Sequence, residues 1–375
     1  MTDAPYEWIT DPAALAAQFV QAPARIGLDT EFIRERTYWP QLALVQIAVR
    51  DAILLVDPLS PGMAEALRDV LEDARILKVM HSASEDLVAF GHACNALPAP
   101  LFDTQVAAAL AGVGAGIGYQ RLVMDLLEVH LEKGETRSDW LRRPLSTAQL
   151  AYAADDVRHL FALHDVLDAR LAAVERQPWF IEDCTRMVDN ARGDGLERWP
   201  HLSSRASQYL DPSARLRLLR VLRWRDAYAR DHDRPRTWIL DNELAAQIAR
   251  DPPTDMASLQ RQFDTHPKAP RRLAGEVWAA LCTPLVDEHE APPARTDERD
   301  KRAVRRLQDA VAGRSAELGL PDGVLASRRW LEALLDGDDW PGPLAGWRRR
   351  ELEPLLAPLL VAVRPPRLPS ADPAV

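Results

Sequence analysis

Cysteine is scarce in this 375-residue sequence, and long apolar runs are missing. The three cysteines, Cys94, Cys184 and Cys282, are far apart and form no Cys-x-x-Cys pair, which argues against a zinc site and a disulfide framework. No apolar run approaches the roughly 20 residues that span a bilayer. The N-terminal segment lacks the basic and apolar regions of a secretory signal. We therefore expect a cytoplasmic protein with no membrane partner.

The sequence also lacks an excess of positive charge, since its formal net charge is −10. This argues against a protein that coats nucleic acid non-specifically. One stretch departs from that balance, because residues 215–236 carry eight Arg against three Asp, a local excess of +5. These guanidinium groups either contact phosphates or form a solvated face of a helix, and the sequence leaves both alternatives open.

Strand-like segments occur only in the first half of the chain. Three of them, 25–33, 42–49 and 53–56, follow one another through short connections, as in an antiparallel meander. After residue 195 the sequence is rich in Arg, Leu and Ala in helical patterns, and prolines mark the predicted linkers. We predict an α/β domain over 1–198, two small helical domains over 211–291 and 294–364, and a disordered tail over 365–375.

Capping patterns predict where two functional helices begin. Ser82 and Glu85 have the spacing of a capping box, so a helix is expected to begin just beyond the strand 76–80, with Asp86 in or near its first turn. Ser146 and Gln149 have the same spacing and open a long helix that is predicted to run through residue 167. Residues 102–110 are predicted to be helical, and the glycine-bearing run 112–118 is predicted to be a flexible connection.

Asp29 and Glu31 place two carboxylates on one face of the strand 25–33, because residues two apart point the same way. Two buried like charges are costly unless a cation binds them, and carboxylate oxygens favour a hard divalent metal. Asp86 and Asp156 supply two further acids, and Tyr152 shares a helix face with Asp156 at i and i+4. This spacing selects Asp156 over Asp155, which points about 100° away on a helix. Each signal alone is also typical of surface acids or half-buried packing.

Four converging carboxylates can hold two divalent cations about 3.5–4 Å apart, the arrangement used for in-line displacement at phosphorus. One cation lowers the pKa of a bound water, and the other stabilises the leaving oxygen. A tyrosine beside this site is suited to orient the attacking water. Its reference pKa near 10 makes it a weak general base.

The order and spacing of these motifs resemble the three exonuclease motifs of the DEDDy family and, more closely, the bacterial ribonuclease D family. The resemblance covers residues 5–200 and includes the segments 135–141 and 143–145. It continues more weakly through the two C-terminal halves, which resemble HRDC domains. The three motifs that carry it are Asp29-Thr30-Glu31-Phe32, His81-Ser82-Ala83-Ser84-Glu85-Asp86-Leu87 and Tyr152-Ala153-Ala154-Asp155-Asp156.

The resemblance implies a ribonuclease H-like fold with a mixed five-stranded sheet flanked by helices. It implies that Asp29, Glu31, Asp86 and Asp156 bind two metal ions, Mg²⁺ or else Mn²⁺, and that Tyr152 holds the nucleophilic water. The implied activity is stepwise hydrolysis of RNA from its 3′ end to 5′-mononucleotides, in 3′ maturation of tRNA precursors and other structured RNAs. We expect a monomer.

Several other residues are weaker candidates for substrate contact. Phe32 could stack on a base or pack in the core, and His81 is more typical of a core histidine. Arg137 and Arg143 could meet phosphates or lie in a solvated loop. Gln46, inside an apolar strand, has no assigned role. Two alternative functions are a DNA 3′–5′ exonuclease on the same fold and a non-catalytic RNA-binding adaptor.

Overall fold

A computed structural model describes residues 6–132, 134–135, 138–193, 195, 197–292, 301–337 and 340–363. Its sheet contains six strands in the order β1-β4-β3-β2-β5-β6. The β2/β3 and β3/β4 pairs are antiparallel, and the β1/β4, β2/β5 and β5/β6 pairs are parallel. The strands are β1 Tyr6–Ile9, β2 Arg25–Ile33, β3 Gln41–Val49, β4 Ala52–Val56, β5 Leu77–Met80 and β6 Leu101–Asp103.

The mixed sheet and flanking helices confirm the predicted fold class, with one strand more than expected. The additional strand is β6, which the sequence pattern had predicted as the start of a helix. Its three residues are buried at the sheet edge, and it pairs with β5 before α4 begins at Thr104. The run 112–118 lies between α4 and α5, as predicted.

Helices cover both faces of the sheet. One face, with Leu44 and Ala48 of β3, packs against α6 and α7, while the other face, with Val45 and Ile47, packs against α2 and α3. This alternation follows from the two-residue period of a strand. The helices of this part are α1 Pro12–Gln18, α2 Met63–Glu72, α3 Ser84–Cys94, α4 Thr104–Leu110, α5 Tyr119–Leu127, α6 Thr147–Arg158, α7 Leu160–Ala173 and α8 Gln177–Arg192.

The two capping predictions have different outcomes. Ser146 and Gln149 form the predicted reciprocal capping box of α6. The helix is shorter than predicted, because the backbone leaves helical geometry at His159 before α7 starts.

Ser82 does not cap α3, and this prediction is wrong. Ser82 has a positive φ of 58°, and the N-cap is Ala83, without a side-chain bond. The fully buried Asp103 accepts hydrogen bonds from the backbone N–H groups of Ala83 (2.8 Å) and Ser82 (3.3 Å). The helix nevertheless begins where expected, with Asp86 in its first turn.

The remaining chain is helical. Four of its first five helices surround a separate apolar core that includes Leu218, Leu244 and Phe263, and the short second helix packs through Ile239 against Tyr38 and Ala229 instead. These helices are α9 Pro212–Asp231, α10 Arg236–Ile239, α11 Asn242–Arg250, α12 Met256–Asp264 and α13 Ala274–Cys282. The predicted domain boundaries at 198/211 and 291/294 stay predictions, and the predicted tail 365–375 lies outside the described residues. No helix in the described ranges is long and apolar enough to cross a membrane.

The last three helices, α14 Lys301–Leu318, α15 Arg328–Leu335 and α16 Trp347–Val363, share an apolar core with the α/β domain. Trp347 stacks on Trp179 of α8, with ring centroids 4.3 Å apart. Arg348 donates to both carboxylate oxygens of buried Asp183 at 2.7 and 2.8 Å. This part of the chain is therefore fixed to α8 by packing and by a buried ion pair.

The Arg-rich stretch is not a freely solvated helix face. Arg220 forms a double hydrogen bond to Glu288, at 2.5 and 2.6 Å, and Arg223 forms one to Asp287, at 2.7 and 3.0 Å. Arg225 donates to the side chain of Asn242 at 2.7 Å. These guanidinium groups brace the helical region internally, so the solvated-face alternative is wrong for them.

The loop that follows β2 is held by the α9–α10 region. Asp233 accepts hydrogen bonds from the backbone N–H groups of Tyr38 and Trp39, both at 3.0 Å. The Tyr38 hydroxyl donates to Asp226 at 3.1 Å, and Arg236 donates to that hydroxyl at 2.6 Å. The helical region therefore supports the segment directly behind the acid pair of β2.

We expect Asp233→Ala to loosen this loop, because two backbone N–H groups lose their acceptor, at about 1–3 kcal/mol for a buried unpaired group. Hydrogen exchange of the Tyr38 and Trp39 amides should accelerate. The control is Asp231→Ala, an exposed position at the end of α9. Equal exchange rates in the two variants would contradict the assignment of Asp233 as the support of this loop.

Candidate active site

Three of the predicted acids meet at one point. Asp29 and Glu31 project from β2 toward α6, and Asp156 projects from α6, so that one carboxylate oxygen from each lies within 4.8 Å of the others. The neighbouring Leu28 and Thr30 point to the other side of the sheet, as the strand period requires. Leu28 is buried there against the core beneath α3. Asp29 and Glu31 therefore share one face of β2, as predicted, because the side chains next to them point to the opposite face.

Asp86 approaches this cluster from α3 without joining the tight group of three. It is 8% exposed, and the Thr30 hydroxyl donates a hydrogen bond to its carboxylate. Its charge nevertheless raises the pKa values of Asp29 and Glu31. Thr30 thus connects the strand that carries two of the acids to the helix that carries the fourth.

Burial and mutual repulsion hold these carboxyl groups toward their protonated forms. Burial, with the charges of Asp156 and Asp86, raises the pKa of Glu31 to about 8. Burial raises the pKa of both Asp86 and Asp156 to about 7, although the hydrogen bond from Thr30 opposes the first shift and the Tyr152 phenol opposes the second. The pKa of Asp29 is raised well above its usual range by burial and by the other three acids.

Among the described residues, no Lys or Arg is a leading cause of these four pKa shifts. The donor atoms are all carboxylate oxygens, the ligands that hard divalent cations prefer. The donor set therefore fits divalent metal ions, as the resemblance to the exonuclease family implies.

Tyr152 lies one helical turn before Asp156, and its phenol opposes the rise that burial causes in the pKa of that carboxyl. Burial and the charges of Asp156, Glu31 and Asp29 raise the pKa of the Tyr152 phenol. The phenol is therefore a hydrogen-bond donor at neutral pH. The backbone at Gly134 packs directly on the Tyr152 ring, since a Cβ at this position would lie 1.8 Å from its Cδ2 atom. The sequence offered no sign of this contact.

Asp155 is separate from the cluster of acids, in agreement with the spacing that selected Asp156. Its carboxylate accepts a hydrogen bond from Arg158 at 2.8 Å. Its backbone carbonyl accepts one from the Tyr119 hydroxyl at 3.1 Å, and that hydroxyl accepts from the His159 N–H at 3.2 Å. Tyr119 therefore fixes the junction of α6 and α7 beside the acids, a role that the sequence analysis missed.

The weaker substrate candidates lie around this site in different ways. Phe32 is partly buried against the core beneath α3. His81 Nδ1 is 2.8 Å from the Thr104 hydroxyl, and its ring meets the edge of Tyr119 at 5.7 Å. Burial lowers the pKa of His81, so it is neutral at physiological pH. Substrate contact by Phe32 and His81 stays a prediction, and Arg137 lies outside the described residues.

Arg143 is occupied by contacts within the protein. It donates to both oxygens of Asp57 at 2.7 and 2.8 Å, and to the carbonyl oxygens of Ala43 (2.6 Å) and Trp140 (2.8 Å). These contacts tie the segment before α6 to β3 and to the residue after β4. They favour a structural role for Arg143 over the predicted phosphate contact.

Comparisons with known proteins agree with this geometry. Residues 6–172 match a family model described as a 3′–5′ exonuclease. Ribonuclease D of Xanthomonas oryzae pv. oryzae is 60% identical over 95% of this chain and 98% of its own length. Ribonuclease D of Pseudomonas paraeruginosa is 35% identical over 92% of this chain and 95% of its own length.

A solved structure has the same architecture over almost the whole chain. Escherichia coli RNase D, described as an exoribonuclease involved in structured RNA processing, superposes with a TM-score of 0.83 at 27% identity. The match covers 96% of this chain and 100% of that one. Together with the sequence relatives, it extends the likeness from the acidic site to the C-terminal helices. The chain belongs to the ribonuclease D family and is a 3′–5′ exoribonuclease.

Proposed function

We propose that Asp29, Glu31, Asp86 and Asp156 hold two divalent cations, Mg²⁺ in preference to Mn²⁺, for hydrolysis of RNA. The observation that carries this proposal is the group of buried acids with raised pKa values. Such a group costs free energy when it ionises, and a divalent cation at the same place offsets that cost. An acid pair on the surface would not show these shifts.

The bound cations supply a water of lowered pKa and charge stabilisation at the leaving oxygen. The chain itself supplies orientation. Tyr152 remains protonated, so its hydroxyl is a donor that can hold a water oxygen beside Asp156. Gly134 and Trp140, whose ring centroid lies 6.1 Å from that of Tyr152, restrict the phenol ring. Tyr152 is therefore assigned to positioning the water, and proton acceptance falls to other groups.

The proposed substrates are tRNA precursors and other structured RNAs with 3′ extensions, cut stepwise to 5′-mononucleotides by a monomer. Two observations support RNA. The sequence relatives bear the name ribonuclease D, and the E. coli structure is described as acting in structured RNA processing. A non-catalytic adaptor is disfavoured because all four acids and the tyrosine are present and three of the acids converge.

Asp156→Asn is expected to reduce hydrolysis of a 3′-extended RNA by about 10³-fold or more, since charge stabilisation by a metal is worth several kcal/mol. RNA binding should change little. Asp155→Asn is the matched control one residue away and should keep nearly full activity. Gel-resolved digestion and filter binding measure the two quantities. Full activity in Asp156→Asn would remove Asp156 from the ligand set.

A tRNA with a 3′ extension and a DNA oligonucleotide matched to that extension test the substrate. In Mg²⁺ the RNA should shorten one nucleotide at a time from its 3′ end, and excess chelator should stop the reaction. The DNA should be degraded more slowly. A preference for DNA would refute the proposed substrate, and a chelator-resistant reaction would refute the metal requirement.

A further inference from the structure

A buried amide beside the acid cluster has no partner. Gln46 is 0% exposed, and neither its Oε1 nor its Nε2 has a hydrogen-bond partner among the described residues. A buried polar group left unpaired costs about 1–3 kcal/mol. By contrast, the equally buried Lys78 donates to the carbonyl oxygens of Asp73 and Ala99 at 2.6 and 2.8 Å. Burial alone therefore does not explain why the Gln46 amide has no partner.

The position of Gln46 suggests that explanation. Gln46 of β3 lies directly opposite Asp29 of β2 in the antiparallel register. Residues paired in this way have Cβ atoms about 4.5–5.5 Å apart on the same face of the sheet. Leu44 and Ala48, two residues to either side of Gln46, pack on the core beneath α6, the helix that carries Asp156. The Gln46 side chain therefore lies on the same face of the sheet as Asp29 and Glu31.

We propose that Gln46 is a positioning residue for the metal-binding cluster and that its amide N–H donates to the Asp29 carboxylate when the cluster holds divalent cations. The inference rests on the proposed function, because it requires that this cluster binds metal. A carboxylate that binds a metal is ionised, and a hydrogen bond to an ionised acceptor is stronger than one between neutral groups. The stability that this hydrogen bond adds to the metal-bound protein explains why the chain has an amide that is unpaired in the metal-free protein.

Hydrogen-bonded partners orient the carboxylates that bind a metal, and their loss commonly costs 10–100-fold in affinity. A residue of this kind has a signature that differs from that of a packing residue. Removal of the Gln46 amide should weaken metal binding and leave the metal-free fold as stable or slightly more stable, because two unpaired polar atoms disappear. A packing role predicts the reverse pattern.

The test compares Gln46→Met, an unbranched side chain of similar length, with the unaltered full-length chain. Mn²⁺ affinity is measured by calorimetry without RNA, and thermal unfolding is measured in excess chelator. We expect Kd for Mn²⁺ to rise about 10–100-fold and the melting temperature in chelator to be unchanged or higher. Gln46→Leu, which also removes the donor and adds no charge, should weaken Mn²⁺ binding by a similar factor.

Lys78→Met serves as the control for removing a buried polar group elsewhere in the sheet. It loses two satisfied hydrogen bonds, so it should lower the melting temperature and leave the Kd for Mn²⁺ unchanged. A lower melting temperature with unaltered Mn²⁺ affinity in both Gln46 variants would overturn the positioning role alone. Absence of Mn²⁺ binding by the unaltered chain would overturn the proposed metal site, and this inference with it.

Discussion

The active site depends on the burial of four carboxyl groups together at one end of a sheet, which their mutual repulsion opposes. In water each of these carboxyl groups has a pKa of about 4. Burial and proximity raise the pKa of Glu31 to about 8 and those of Asp86 and Asp156 to about 7. The apolar faces around them enforce this arrangement, because Ile26 and Leu28 are buried on the opposite side of the strand that carries Asp29. Folding therefore creates a site whose ionised form is stabilised by a bound cation.

The helical regions contribute to this site by holding its supports in place. Asp233 and Arg236 fix the loop that follows β2, and the Arg348–Asp183 ion pair fixes α16 to α8. The arginines of the +5 stretch serve the same end within the helical region. A charge excess that the sequence presented as a candidate for RNA contact is in large part an internal framework.

The sequence predicted the features that depend on local spacing. Same-face placement of Asp29 and Glu31, the capping box of α6 and the choice of Asp156 over Asp155 all follow from strand and helix periods. Features set by distant residues were missed or wrong. Asp103, and not the predicted Ser82, accepts the hydrogen bonds at the start of α3. Arg143 forms an ion pair with Asp57. The contact of Gly134 with Tyr152 depends on packing that no local pattern encodes.

The central claim is that divalent cations replace protons on the buried acids. Calorimetric titration with Mn²⁺ in two buffers of different ionisation enthalpy counts the protons released. At pH 6, below the pKa values of about 7 and about 8, the cluster is largely protonated, so metal binding should release about one proton or more per chain. The number should fall by pH 9. Mn²⁺ binding at pH 6 without proton release would contradict the account.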